Sequence, residues 1–328
     1  MTVGFQYLRC FFLLAFHEYA ESLQTVFAQQ ESTGKSDTKV STEMHKPALN
    51  WDTVHVTSAM TLCAEEVLDA ISGPYFMHTA TSTLKLVQKR LPKVRTHLIF
   101  YCKAVEQHVK KAFKDLSEFP ALKLKRMGGD FWNPQGWAGY QKWMVSWEFW
   151  NEVEGDKLLV YQPDVHICNN AHEQLQKFFK YDYVGAPWQQ DLAPPGDPRY
   201  CSTRVGNGGL SLRDIKVAKS VLKSQSHAQE ETGYPDIHNH YALPEDAWWC
   251  QKLANSRIPP FNLAAEFAVE GNGPIGPTTD IVGVHDVFNM TVAQTLEPIC
   301  TGITEHMTNV QIQKRKRELI GGIGHTAT

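Results

Sequence analysis

The chain has 328 residues, 42% hydrophobic and 20% charged, an ordinary globular balance with ample material for a core. A net charge of −3 argues against general nucleic-acid binding, which favours a basic footprint. Seven cysteines lie far apart with no CxxC or Cys/His spacing. They indicate neither a disulfide scaffold nor a zinc site, and the odd count leaves at least one thiol free or paired between chains.

Residues 5–16 (FQYLRCFFLLAF) are apolar but interrupted by Arg9, short of the ~20 residues of a membrane span. Two readings stand side by side. A signal-peptide core or truncated signal anchor would place the protein at a Golgi or secretory membrane; an amphipathic start would leave it cytoplasmic. Residues 29–47 are polar without a hydrophobic period and read as a linker. Residues 1–50 are therefore taken as an N-terminal segment.

A globular domain is expected over 51–295. VHVTSAM alternates as a strand does, and CAEEVLDAIS has helical spacing until Gly73-Pro74 stops it. SGPYFMHTATSTLKLVQKRL reads as a loop and then a helix. THLIFY, AVEQHVKKAFKDL and ALKLKRM read as strand, helix and strand, the alternation of a parallel sheet. GYQKWMVSWEFWNEV reads as one helix with Trp143, Trp147 and Trp150 on a single core-facing side. LLVY is a short buried strand, AHEQLQKFFK an amphipathic helix, and YDYVGAPW a short strand and turn. Residues 189–204 form a proline-rich loop, LSLRDIKVAKSVLKSQ a helix, and 225–243 a second loop. Pro244 is placed at the first position of the helix EDAWWCQKLANS. PFNLAAEFAVEG gives a short strand, and IVGVHDVFN closes the region. Residues 296–328 are read as a tail, with a basic QKRKREL stretch.

Candidate chemistry gathers between Leu158 and Arg213 and just beyond. Leu158–Tyr161 ends abruptly in Gln162-Pro163-Asp164, so a buried strand delivers a carboxylate to its C-terminal end. Ligands of open α/β sheets sit there, and a carboxylate so placed suits a hard divalent cation bridging phosphates. Gly206-Asn207-Gly208-Gly209 supplies backbone that can approach a ligand closely. Glu245 and Asp246 open a helix, where the dipole alone favours carboxylates; a carboxylate projecting from such a start into a cleft can also act as a base. Asn289-Met290-Thr291 is a sequon open to glycosylation if the chain enters the endoplasmic reticulum.

The order YQPD, YDYVGAPW, VGNGGLSLR, PEDAWW and AAEFAVE…GVHD, over roughly residues 95–290, resembles the family called domain of unknown function 5672, itself regarded as similar to GT-A glycosyltransferases. The resemblance implies an α/β, GT-A-like nucleotide-diphospho-sugar transferase fold, with a mostly parallel central sheet flanked by helices. It implies transfer of a hexose, with inversion expected, from a nucleotide-sugar donor to a glycan or protein hydroxyl, and no nucleic-acid partner. A divalent metal, Mn2+ or else Mg2+, would sit at Asp164, completed by His285, the histidine after the last core strand. Gln162-Pro163-Asp164 replaces the usual Asp-x-Asp, so one carboxylate remains there. Asn207, Gly208 and Gly209, with Trp188 and Trp248, would line the donor and acceptor pocket. Asp246 would be the catalytic base and Glu245 the neighbour that binds acceptor. Arg204 or Arg213 would supply positive charge in a metal-free site. The rival reading is a non-catalytic carbohydrate- or nucleotide-binding module on the same fold. A nucleotidyltransferase is a third reading, less supported because a glycine- and basic-rich phosphate loop near the N-terminus is missing.

Overall fold

The computed structural model describes residues 49–62, 73–128, 137–188, 203–225, 228, 232, 243–253, 256–271, 280–286 and 289–309. The apolar segment 5–16, the linker, the helix expected over CAEEVLDAIS, and most of the two loops lie outside them, as does the tail beyond 309. Among the described residues, no helix is long and apolar enough to cross a membrane.

The strands β1 (Val56–Leu62), β2 (Thr96–Tyr101), β3 (Leu122–Arg126), β4 (Lys157–Tyr161), β6 (Tyr183–Gly185) and β7 (Leu210–Asp214) make one six-stranded sheet in the order β3-β2-β1-β4-β7-β6. β1, β2, β3 and β4 run parallel, and β7 alone runs against its neighbours β4 and β6. A second sheet of three short strands, β5 (His166–Ile167), β8 (Ala268–Glu270) and β9 (Gly283–His285), has the order β5-β9-β8. The fold is an α/β arrangement with a mostly parallel central sheet.

Helices α1 (Gly73–Arg90), α2 (Glu106–Ala112), α3 (Trp137–Met144), α4 (Trp147–Glu152), α5 (Ala171–Gln176), α6 (Ile215–Ser224), α7 (Glu245–Lys252), α8 (Phe261–Ala264) and α9 (Met290–Leu296) join the strands. Every residue of β4 is buried, as its apolar run predicts. The tryptophans mostly fill the core: Trp150 meets Phe149 and Trp249 edge-on, and Trp143 meets Phe100.

Several expectations are corrected. The single aromatic helix is two, because Ser146 interrupts it and its Oγ accepts the Phe149 N–H at the start of α4. Trp147 thereby turns outward and is 40% exposed, while Trp143 and Trp150 stay buried. LSLRD is not the start of a helix but β7, buried between β4 and β6; α6 begins only after Asp214 caps it by accepting from Val217 N. Gly73-Pro74 opens α1, and Pro244 is the N-cap of α7, its carbonyl accepting from Trp248 N at 2.9 Å.

The wide spacing of the cysteines also misled, because tertiary packing brings distant thiols together. Cys168 and Cys300, 132 positions apart, form a disulfide, and Cys102 and Cys250 each take part in a disulfide of their own. Cys300, Ile303 and Met307 are buried with Val269, Val284 and Leu296 in a small second core. The chain just past 296 is thus packed against the second sheet.

Candidate active site

Topology builds the site. Because β7 is antiparallel to β4, Tyr161 pairs with Leu210, and the turn before β7 lies beside the segment after β4. Gln162 N donates to Gly209 O at 2.9 Å. From the other sheet, the parallel pairing of β8 with β9 sets Glu270 opposite His285, and the pairing of β5 with β9 ties this end to the strand that follows Asp164.

Asp164 and His285 are therefore brought together. His285 Nε2 lies 3.3 Å from Asp164 Oδ1 and 2.9 Å from Gln162 Oε1. On the ring's other side, Nδ1 lies 2.5 Å from Glu270 Oε2. Burial disfavours a charged imidazole here, but Glu270 and Asp164 outweigh it and push the His285 pKa well above its ordinary value. Among the described residues no three His, Cys, Asp or Glu side chains converge as a ready cation cage.

Sequence reasoning missed Glu270. The signal was present: AVE ends a short buried strand in a carboxylate, just as LLVYQPD does for Asp164. Glu270 also accepts the Asn207 side-chain amide through Oε1 at 2.9 Å, and Asn207 Oδ1 accepts Gly209 N at 2.8 Å. Asn207 thus binds the glycine turn to β8.

The glycines are required by neighbouring side chains. A Cβ on Gly209 would overlap the His285 ring, and one on Gly208 would overlap Glu245 and crowd Asp246 and Arg213. The close approach predicted for this backbone is thus an approach to the protein's own site residues. Gly206 has a different reason: its φ is +125°, and a Cβ there would strike the Tyr183 ring.

Across the turn lies the second cluster. Arg213 donates from Nη1 and Nη2 to Glu245 Oε2 and Oε1 at 2.8 and 2.9 Å, and from Nε to Ser211 Oγ at 3.0 Å. Both charged side chains are 2% exposed. Burial alone would lower the Arg213 pKa, but the Glu245 carboxylate overrides it and holds it above its ordinary value. Glu245 is a core residue locked on Arg213, a departure from the acceptor-binding position expected of it. Arg213 is likewise engaged, while Arg204 stacks its guanidinium over Phe261 at 4.8 Å.

Asp246 is placed differently. It is half-buried, and its oxygens accept from Gly208 N at 3.0 Å and Ala247 N at 2.8 Å. Burial first, then the neighbouring Glu245, push its pKa up to about 7. Trp248 is fully buried against Trp249, and Trp188 is nearly so, its backbone N–H donating to Arg204 O. Both occupy packing positions rather than an open aromatic surface.

Three solved structures are similar to parts of this chain. Core-mannan synthase A from Aspergillus fumigatus, in a Mn/GDP form, aligns at 11% identity and a TM-score of 0.40, covering 68% of this chain and 81% of that one. Mouse xyloside xylosyltransferase 1 aligns at 10% identity and a TM-score of 0.40, covering 71% and 97%. The 4-diphosphocytidyl-2C-methyl-D-erythritol synthase of Anaerococcus prevotii aligns at 10% identity and a TM-score of 0.37, covering 55% and 82%. No curated protein matches the sequence. The landmarks resembling domain of unknown function 5672 fall largely where a family model does: residues 130–277 match the one described as Protein of unknown function (DUF5672).

Proposed function

We propose that this protein transfers a hexose from a nucleotide diphosphate sugar to a glycan or protein hydroxyl. In this reading Asp164 and His285 hold a divalent cation, Mn2+ or Mg2+, and Asp246 is the base. The observation that carries the reading is the placement of two unlike acid–base groups on either side of the Gly208–Gly209 turn: Asp164 with His285, and Asp246.

The donor set fits such a cation. Ligands on one ion at ~2.1 Å stand about 3 Å apart when adjacent, close to the 3.3 Å between Asp164 Oδ1 and His285 Nε2. Two protein ligands suit an ion that keeps waters and completes its shell with substrate phosphates, the usual habit of Mg2+; an imidazole ligand favours a transition-metal ion such as Mn2+ over Mg2+. When bound, the cation supplies Lewis-acid stabilisation of the diphosphate leaving group.

The protein's own residues supply the rest. The acceptor oxygen forms a bond to the anomeric carbon as the bond to the diphosphate oxygen breaks, its electron pair leaving with the diphosphate. The hydroxyl proton passes to an Asp246 oxygen. A carboxylate with a pKa of about 7 is a far better proton acceptor at neutral pH than an ordinary one, yet is still substantially ionised. Arg213 and Glu245 hold the start of α7 so that Asp246 faces Gly208.

A thermal-shift screen of nucleotide sugars with and without Mn2+ identifies the donor. Slow hydrolysis of that donor, releasing nucleoside diphosphate, supports the proposal; pyrophosphate release would indicate nucleotidyl transfer. The lone carboxylate of Gln162-Pro163-Asp164 favours a second reading, a binding module without chemistry, which would shift in the thermal screen and hydrolyse nothing.

A further inference from the structure

We propose that Glu270 is a positioning residue that fixes the rotation of the His285 ring and leaves Nε2 as its cation-binding nitrogen. This rests on the reading of Asp164 and His285 as cation ligands.

Both Glu270 oxygens are committed within the protein, Oε2 to His285 Nδ1 and Oε1 to Asn207 Nδ2. Glu270 therefore acts through the imidazole. An ionised carboxylate only accepts, so the Glu270 carboxylate, facing the charged His285 ring, places a proton on Nδ1. Nε2 is left facing Asp164 and Gln162, the nitrogen that can exchange its proton for a cation. A half-turn of the ring would replace both nitrogen contacts with carbon, and Gly209 packs against the ring with no room for a Cβ.

The backbone supports this dedicated role. Glu270 and His285 are partners in the parallel β8–β9 ladder, so their separation is set by strand pairing. Asn207 anchors the free oxygen of the same carboxylate to the glycine turn. A carboxylate behind a ligating histidine orients it and strengthens it as a ligand, and losing such a partner typically costs 10–100-fold in metal affinity.

The test titrates the full chain with Mn2+ alone, following free Mn2+ by electron paramagnetic resonance, with melting temperatures recorded in parallel. Asp164→Asn and His285→Asn are expected to abolish binding. Glu270→Ala is expected to weaken it roughly 10–100-fold. Glu270→Gln should fall between Glu270→Ala and wild type, because its amide oxygen still accepts the Nδ1 proton. If Glu270→Ala binds within about twofold of wild type while the two ligand variants do not bind, the inference is overturned and the site reading stands. If the ligand variants bind as wild type does, both fall together. Should Glu270→Ala not fold, Glu270→Gln decides: affinity equal to wild type overturns the role. A melting-temperature loss with unchanged Mn2+ affinity in either Glu270 variant marks a structural contact only.

Discussion

On one side of the Gly208–Gly209 turn, Arg213 and Glu245 form a closed, bidentate, fully buried ion pair. On the other, His285 lies between Asp164 and Glu270, a cation that can lose its charge between two carboxylates. The first cluster is balanced by a guanidinium that does not titrate in proteins, so neither partner can change state without leaving the other buried and unpaired. The second couples two carboxylates to a titratable imidazole, so it has room to exchange a proton for a cation. The difference separates scaffold from chemistry more sharply than residue type does, since Glu245 and Glu270 are equally acidic in the sequence.

The largest effect that can test this contrast is on stability. Arg213→Met should destabilise the fold by about 3–5 kcal/mol, the usual cost of stranding a buried charge, measured by urea unfolding. Removing both partners in Arg213→Met with Glu245→Leu should recover most of that loss. A single variant as stable as wild type would remove the scaffold role. His285→Asn, by contrast, should leave stability far less affected.

Next come the glycines, which sharpen the comparison because each touches one cluster. Gly209→Ala should drive the His285 ring from its place and Gly208→Ala should push on Glu245, each costing about 1–3 kcal/mol as overpacking does. Only Gly209→Ala should also impair Mn2+ binding. Equal damage to Mn2+ binding by both variants would dissolve the distinction.

A further effect is a pH dependence carried by Asp246. Its folded pKa is raised from 3.8 to about 7, so the protonated form is favoured in the fold. Its contribution to stability is complete below about pH 4 and is lost as pH rises through 7. Asp246→Asn should therefore gain stability relative to wild type at pH 8 compared with pH 4, read from melting temperatures across that range. No pH dependence in the difference would contradict the raised pKa.

The Cys168–Cys300 bridge also favours an oxidising compartment. Asn289 and Thr291 of the sequon are exposed. A glycosidase-sensitive gel shift of protein expressed in a secretory host is expected, and an unshifted, fully reduced protein would count against that setting.

Much of the fold was legible because local patterns carried it: the alternating stretch of β1 and the apolar runs of β2 and β4 are buried strands, and Asp164 follows β4. What escaped depends on tertiary context. LSLRD follows a glycine turn and precedes a true helix, and only pairing with β4 and β6 makes it a strand. The helix over Trp143–Trp150 breaks at one serine whose capping outweighs a continuous apolar period. Glu245 and Asp246 are adjacent and look interchangeable, yet the first meets a buried arginine 32 positions away and the second does not. Glu270 carried the same strand-end signal as Asp164 but had no partner in sight until β8 and β9 paired.

The most direct test of the central claim compares wild type, Asp164→Asn and Asp246→Asn with one identified donor, measuring donor affinity and nucleoside diphosphate release together. Asp164→Asn should lose cation-dependent donor binding and release alike. Asp246→Asn should bind donor nearly as wild type does, while acceptor-dependent release falls by roughly 10²–10⁴, the usual worth of general-base catalysis. Normal turnover by Asp246→Asn, or unimpaired cation-dependent donor binding by Asp164→Asn, would contradict the account.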